Sequence, residues 1–542
     1  MKPIYTLLAF LGLPLCILAQ TNLEWTNFEY TPHMQRNECK AMCTNKAGIT
    51  YVVNQTQSAI SYYISDRFFA FDEAGTKLWQ YDNDTCLTGC SESYNQVVAL
   101  DGGGAIFVGI ISTSTGNELS MKRLDAAGVL VWEQNWADGT IVDVVKAKLD
   151  SAGDLVVAMN ETHITAYDLD YEIAKFDTAL GSNIWHTTIP PDVGSDGYHI
   201  ADEMADMVIG PGNVIYGCGT SGDMWSGTAG HHSFFRVAAD GTFGYRIISD
   251  SSTLTDIETD RSGGVYIFGE FGPERVHLEK RNATDGALLW QANPAKGNGM
   301  NTVDLATDDA GNVYALSNFY QAAVSNRNFV ITKYNTTGTK LWQRSYLEWL
   351  GGATTSANTG AVEMHKHNTG LYILSSKAAA AKTFIVVTKV DMDGNVLAWD
   401  TSMKQGTLGI NRNYDGYMSL DSVGNAYVSR TSAWGAAEVG NVLQKFADTT
   451  TIPLPTGFTD RSVAAVVSLC PNPASNQTTF SYPEVFTTSS LQVFDVHGRM
   501  VVASALAGRQ TTISTSALET GVYFCRLMVN GELLTAKLAV TR

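Results

Sequence analysis

The chain has little positive charge: 36 Lys and Arg stand against 54 Asp and Glu, a formal net charge of −18 at pH 7. No run of Lys or Arg reverses this locally. Nucleic acid and anionic membrane surfaces, which need basic patches to neutralise phosphate, are therefore excluded as partners. Beyond the first twenty residues no apolar run reaches the roughly 18 residues of a membrane-crossing helix, so no membrane span is expected. Common catalytic signatures are missing as well: there is no His-Glu-x-x-His, no Gly-x-Ser-x-Gly and no phosphate-cradling glycine loop.

Cysteine is sparse. Residues 1–19 carry Lys2, a continuous apolar stretch and a terminal small residue, the pattern of a secretory signal peptide cleaved near Ala19 or Gln20. Cys16 does not make this a lipoprotein signal, because Pro14 and Leu15 stand where small residues are needed. Seven of the 8 cysteines remain after cleavage, in an oxidising compartment. Cys86 and Cys90 share a short loop and could close a local disulfide, and Cys470 and Cys525 could pair near the C-terminus. Cys39 and Cys43 cannot bridge each other on one extended strand, which holds them about 13 Å apart where a disulfide needs about 6 Å. Their crossed pairing with Cys86 and Cys90 stays open, whereas a zinc site would use tighter spacing. Cys218 reads as a buried free thiol.

What the sequence does have is a repeat. Leu289 to Trp342 contains four short alternating stretches: A (Val303 to Thr307), B (Val313 to Asn318), C (Phe329 to Tyr334) and D (Thr339 to Arg344). Tight Asp/Asn-x-x-Gly turns, Asp308 to Gly311 and Asn335 to Gly338, join A to B and C to D. The D-strand aromatic recurs at Trp25, Trp79, Trp132, Trp185, Tyr245, Trp290, Trp342 and Trp399, a period of roughly 50 residues. The A–B turn recurs in step at Asn45, Asp101, Asp150, Gly210, Asp260, Asp308, Asn368 and Asp421. Both markers give eight units. A lone four-stranded unit cannot bury both faces, so the chain is expected to be all-β, an eight-bladed β-propeller over residues 20–450. The last unit lacks its D strand, and Leu23 to Tyr30 forms a D-like strand with no C strand before it. Lending this N-terminal strand to the last blade closes the ring and removes an open sheet edge. A Thr/Pro linker at 451–466 leads to residues 467–542, whose alternating strands and His497-Gly498 and Asn530-Gly531 turns describe a small β-sandwich.

Two resemblances follow from these motifs. Asp308-Asp-Ala-Gly-Asn-Val-Tyr, Asp421-Ser-Val-Gly-Asn-Ala-Tyr-Val, Phe71-Asp-Glu-Ala-Gly-Thr-Lys-Leu-Trp and Lys333-Tyr-Asn-Thr-Thr-Gly-Thr-Lys-Leu-Trp resemble the quinoprotein-like and outer-membrane-assembly-factor type of propeller and the bacterial β-propeller repeat. Quinone-dependent members of that fold carry adjacent paired cysteines and a calcium constellation. This chain has no Cys-Cys, so no quinone cofactor is expected, and calcium stays possible. The C-terminal stretch resembles the type A C-terminal sorting domain of the type IX secretion system, through Pro471-Asn-Pro, the Asp495 to Gly498 turn, Gly521-Val-Tyr and the strand from Lys537 to Arg542. That resemblance implies handling by the type IX machinery and delivery, via the periplasm, to the surface or exterior of a Gram-negative bacterium.

If the tight turns lie on one face, the B–C and D–A connections lie on the other, where variation in loop length is concentrated. Its longest members carry Tyr198, His199, Trp225, Tyr346, Trp349 and Trp434, aromatics that could stack on sugar rings or dock a protein, or simply cap the blades. Asp192, Asp196, Asp202, Glu203 and Asp206 cluster in the longest insertion, where calcium could bind, although a solvated acidic loop explains them more simply. His231 and His232 are adjacent on a strand and point to opposite faces. Glu363, His365 and His367 alternate onto one face of an A strand, a spacing that could hold a metal. The favoured reading is a non-catalytic extracellular binding protein for a glycan or protein. The alternative is a secreted enzyme acting on polysaccharide or peptide from the same loop face.

Overall fold

In a computed structural model the repeat units fold as four antiparallel strands, a to d, in sequence order in seven of the sheets described and with the d strand drawn from Asn22–Glu29 in the eighth. The structure describes residues 22–448 and 468–541, less 30–33, 59–63, 84–90, 163–168, 191–200, 223–230, 250–252, 271–275, 295–300, 322–325, 347–358, 380–381, 403–415, 434–438, 482–488, 495–499, 506–509 and 530–531. The signal peptide and linker expected from the sequence lie outside these residues. The chain divides into two compact units, Met1–Ile452 and Pro453–Arg542. Among the described residues no helix is long and apolar enough to cross a membrane.

Among the described residues the first unit shows eight four-stranded sheets. Sheet 1 runs Met34–Thr44, Thr50–Ser58, Ile64–Phe71 and Lys77–Asn83. Sheet 6 runs Asn301–Thr307, Val313–Gln321, Asn326–Tyr334 and Lys340–Ser345. Sheet 8 takes strands a to c from Gly416–Leu420, Ala426–Ala433 and Val439–Ala447, and its d strand from Asn22–Glu29. Leu23 lies opposite Phe446 and Trp25 opposite Lys445 in that pairing. Sheet 8 in turn packs on sheet 1: the Thr44 N–H donates to Ser419 Oγ (2.9 Å), Ser422 Oγ to the Lys46 carbonyl (2.8 Å), and Lys445 pairs with Glu73 (3.1 Å).

The repeated motif residues build two latches. In the a–b turn of sheet 6, Asp308 Oδ1 accepts the N–H groups of Ala310 and Asn312 (3.0 and 2.8 Å), while Gly311 turns back with φ of +76°, an angle that strains a residue with a Cβ. The other carboxylate oxygen of such a turn faces a Tyr of strand b and a Lys of strand c. In sheet 5, Lys280 Nζ reaches Asp260 Oδ2 (3.1 Å) and the Tyr266 hydroxyl (2.8 Å) and sits 4.7 Å over that ring. Tyr266 then donates to the Gly311 carbonyl of sheet 6 at 2.7 Å. The Asp-Tyr-Lys set thus ties one turn to the next and keeps a buried charge paired.

The second latch uses the d-strand tryptophan. Trp290 of sheet 5 donates Nε1–H to the Thr336 carbonyl in the c–d turn of sheet 6 (3.0 Å), and its indole lies against Gly338 so closely that a Cβ there would sit 2.8 Å from the ring. Trp79, Trp132 and Trp185 make the same bond to Ala126, Thr178 and Ala239 (3.1, 3.0 and 3.2 Å). Between sheets the apolar faces interlock: Tyr314, Leu316 and Ile331 of sheet 6 meet Met364, Ile373 and Val386 of sheet 7.

In the second unit a three-stranded sheet (Ser468–Cys470, Gln477–Ser481, Gln510–Ser514) and a four-stranded sheet (Ser489–Phe494, Met500–Ala505, Gly521–Val529, Glu532–Val540) share a core that includes Phe480, Leu491, Ile513, Tyr523 and Leu538. Cys525 is buried there as a free thiol, opposite Val493 and Ala536, and burial pushes it up to about 12. This corrects the pairing with Cys470 read from the sequence, since Cys470 belongs to the other sheet; its side chain lies outside the described residues.

Candidate functional site

The inner strand of each sheet is an edge, so half of its N–H groups point away from the one strand it pairs with. In sheets 4 to 7 a bulge interrupts that strand at Met204/Asp206, Leu254/Asp256, Thr302/Asp304 and Ala361/Glu363, re-aiming the side chains that follow. The residue after each bulge is an acid, and each acid caps an edge amide of the following sheet. Asp206 Oδ2 accepts from Ile257 (3.4 Å), Asp256 Oδ2 from Leu305 (2.5 Å), Asp304 Oδ2 from Met364 (2.7 Å) and Glu363 Oε2 from Met418 (2.8 Å). Lys146 of sheet 3 completes the series with a short ion pair to Asp206.

These groups surround a cavity of about 290 Å3 lined by Gln96, Lys146, Asp206, Thr255, Asp256 and Asp304. Burial, then the neighbouring Asp304 and Asp206, holds the Asp256 carboxyl well above the usual range. Burial would also raise Asp206, but the ammonium of Lys146 outweighs it and Asp206 lies below its ordinary value. Asp304 is raised, chiefly by burial. Burial would lower the His365 imidazole, but the charge and hydrogen bond of Glu363, 2.6 Å from Nε2, together with the charge of Asp304 outweigh it, so His365 is raised. The arrangement sets two neighbouring carboxyls, shifted in opposite directions, beside an ammonium.

Several sequence candidates lie elsewhere. Tyr346 is not an exposed loop aromatic: it is 3% exposed, donates to the Gly394 carbonyl (3.1 Å) and stacks on Phe329 at 5.2 Å. It acts as a wedge against the next c–d turn. Tyr198, His199, Trp225, Trp349 and Trp434 lie outside the described residues, as do Asp192, Asp196, Cys86 and Cys90. Asp202, Glu203 and Asp206 stand on the strand Ala201–Ile209 rather than in a loop. Asp202 is buried in a bidentate pair with Arg246 (2.6 and 2.7 Å), Glu203 is exposed and Asp206 faces the cavity, so these three do not converge on a calcium ion. Glu363 and His365 meet, but His367 turns to Thr369 Oγ1 (3.0 Å) and the Ser422 carbonyl (3.2 Å), so the expected metal triad does not form. His231 is exposed and His232 buried, on opposite faces of one strand. Cys39 and Cys43 share one strand, and their crossed pairing involves Cys86 and Cys90, outside the described residues; Cys218 is a buried free thiol. Lys146, Asp256 and Asp304 were not singled out from the sequence. A signal existed: Asp206, Asp256 and Asp304 each stand four residues ahead of their a–b turn.

Residues 120–406 match the family model described as outer membrane protein assembly factor BamB, and residues 468–541 match that described as secretion system C-terminal sorting domain. Among solved structures the chain is similar to "Structure of Dos1 propeller", at 9% identity and a TM-score of 0.46, covering 78% of this chain and 94% of that one. It is also similar to a Pyrococcus horikoshii acylaminoacyl peptidase, at 9% identity and a TM-score of 0.37, covering 73% and 58%. No curated protein sequence matches the chain.

Proposed function

The chain belongs to the family of the outer membrane protein assembly factor BamB and ends in a type IX sorting domain, and from that premise we propose that it is a non-catalytic binding protein displayed outside the cell. In this reading the signal peptide delivers the chain to the periplasm of a Gram-negative bacterium. The C-terminal domain, a small β-sandwich, then hands it to the type IX machinery. The first unit is an eight-bladed propeller closed by its N-terminal strand, and it meets an extracellular glycan or protein through the face that carries the b–c and d–a connections.

The observation that supports this most is how the inner acids are employed. Asp206, Asp256, Asp304 and Glu363 each hold a backbone amide of the following sheet, which is scaffold work that commits one carboxylate oxygen of each to the fold. The tight turns are likewise consumed by the two latches, so the opposite face is the one free to vary. The test is to present the purified full-length protein to glycan and protein arrays, with hydrolysis assays on the same panel. Saturable binding without turnover supports the reading. Turnover that disappears in Asp256→Asn would overturn it in favour of the second reading, a secreted polysaccharide- or peptide-degrading enzyme. That second reading draws on one observation: Asp206 and Asp256 are displaced in opposite directions, as an acid and a base are.

A further inference from the structure

The seam between sheets 1 and 2 holds a lysine that neither the cavity nor the latches use. Sheet 2 runs Ser91–Ala99, Ala105–Thr113, Gly116–Leu124 and Leu130–Trp136. Lys122, on its strand c, is fully buried. Its Nζ stands 2.5 Å from Oδ1 of Asn83, the last residue of strand d of sheet 1, and 3.0 Å from Oε2 of Glu92 on strand a of sheet 2. Asn83 Nδ2 donates to that same Glu92 oxygen at 2.5 Å, which closes a triangle of amine, carboxamide and carboxyl. Glu133 of strand d lies 3.2 Å from the amine as a second acid. Asn83 and Glu92 are buried as well. The wall around them is aromatic. Tyr94 donates its hydroxyl to Glu92 (3.2 Å) and lays its ring 5.6 Å from Nζ, while Phe107, opposite Lys122 in the sheet, stacks on Phe68 at 4.0 Å.

An amide carbon lies about 1.23 Å from its oxygen, so Asn83 Cγ is at most about 3.7 Å from Nζ, close to attack distance. Holding the two groups there removes the entropic cost of bringing them together. An ammonium and a carboxylate are costly to keep in a dry wall, so passing one proton from Nζ to Glu92, which leaves a neutral amine and a neutral acid, is favoured by the surroundings. We propose that Lys122 and Asn83 join in an isopeptide bond, with Glu92 as the proton carrier, and that sheets 1 and 2 are thereby tied covalently. Nζ, relieved of a proton by Glu92, attacks Cγ and the Nζ–Cγ bond forms. The Cγ–Nδ2 bond then breaks. Two protons pass in all from Nζ to the leaving nitrogen, both by way of Glu92 Oε2, which touches each nitrogen. One ammonium and one primary amide thus become one secondary amide and one ammonium ion, with atoms and charge balanced and no co-reactant consumed. The cross-link is independent of whatever the loop face binds.

The test is a tryptic mass map of the full chain, folded, then unfolded, reduced and alkylated. Between Lys77 and Lys122 the sequence has no other Lys or Arg, so an unlinked chain gives the peptide 78–122 at its full mass. A linked chain loses one ammonia, about 17 Da, and hides Lys122 from trypsin, so the peptide should run on to Arg123 and appear as 78–123 with that deficit. Fragmentation should place the deficit on Asn83 and Lys122 together. In Glu92→Gln the linked fraction should fall at least about tenfold and cleavage after Lys122 should return. Full-mass 78–122 from the wild type would overturn the proposal. So would a deficit confined to Asn83 with Lys122 still cut, which is the mark of a succinimide. Equal linkage in Glu92→Gln would overturn the part given to Glu92. The wild-type map decides by itself should that variant not fold.

Discussion

The contact between Trp290 and Gly338 can be tested as a pair. Trp290 is half-buried, with Tyr266 and Tyr334 at 6.0 Å and a 3.0 Å bond to Thr336. Removing a fully buried Trp costs about 3–5 kcal/mol. Half of that, with about 1 kcal/mol for the lost hydrogen bond, puts Trp290→Ala near 3 kcal/mol. Gly338→Ala carries two penalties, about 1 kcal/mol for a side chain at φ of +81° and about 2 kcal/mol for a Cβ 2.8 Å from the indole. In the double variant the second penalty vanishes because the ring is gone, and only the backbone term persists. The double variant should therefore lose about 4 kcal/mol rather than about 6, a coupling near 2 kcal/mol. Urea unfolding of the full chain, read as midpoints at unchanged slope, measures all three. Additivity within about 0.5 kcal/mol would show that the turn glycine is there for its backbone angle alone and that the indole does not dictate it.

Other expectations can be checked in the same unfolding assay. Lys389 Nζ lies 2.7 Å from both oxygens of Asp448, and both side chains are buried. Lys389→Met strands a buried carboxylate and should cost about 3–5 kcal/mol. Asp260 is held below the usual carboxylate range because Ser262, Gly264 and Lys280 outweigh its burial. Its contribution is therefore present above about pH 4 and is lost as pH falls through the lower folded value. Asp260→Asn should cost on the order of 2 kcal/mol at pH 7 and far less at pH 2; an equal loss at both would refute the assignment. Cys218 and Cys525 should resist alkylation until the chain unfolds, since both are buried and their thiols are raised; prompt labelling by iodoacetamide would contradict the packing.

How much of this could be read from the sequence depended on distance along the chain. The strands of sheet 6 were read as Val303 to Thr307, Val313 to Asn318, Phe329 to Tyr334 and Thr339 to Arg344, and are found at Asn301–Thr307, Val313–Gln321, Asn326–Tyr334 and Lys340–Ser345. The turns that bound them are written in adjacent residues, so local chemistry sufficed. Trp290 is marked in the sequence by its period, but its partner, Gly338, lies a whole repeat away. The same gap hid the inner acids, for Asp256 acts on Leu305 and Asp304 on Met364. Tyr346 was taken for a loop residue because it follows a d strand, and nothing nearby in sequence announces Gly394. His365 and His367 do alternate, yet the end of the strand offers His367 the Ser422 carbonyl of sheet 8, which only the packed neighbour reveals.

The segment Asn22–Glu29 is made well before its mate, Val439–Ala447, which lies about 410 residues further along the chain. Until the two meet, the early ribbon is unmated, and so is the far margin of the late hairpin. Each is a template that any stray extended polypeptide can occupy. An exporter that moved this cargo tail-first or head-first would face the same difficulty, because neither end can be finished without the other. Chaperoning of two distant segments, more than of the bulk between them, is the burden this architecture places on its host.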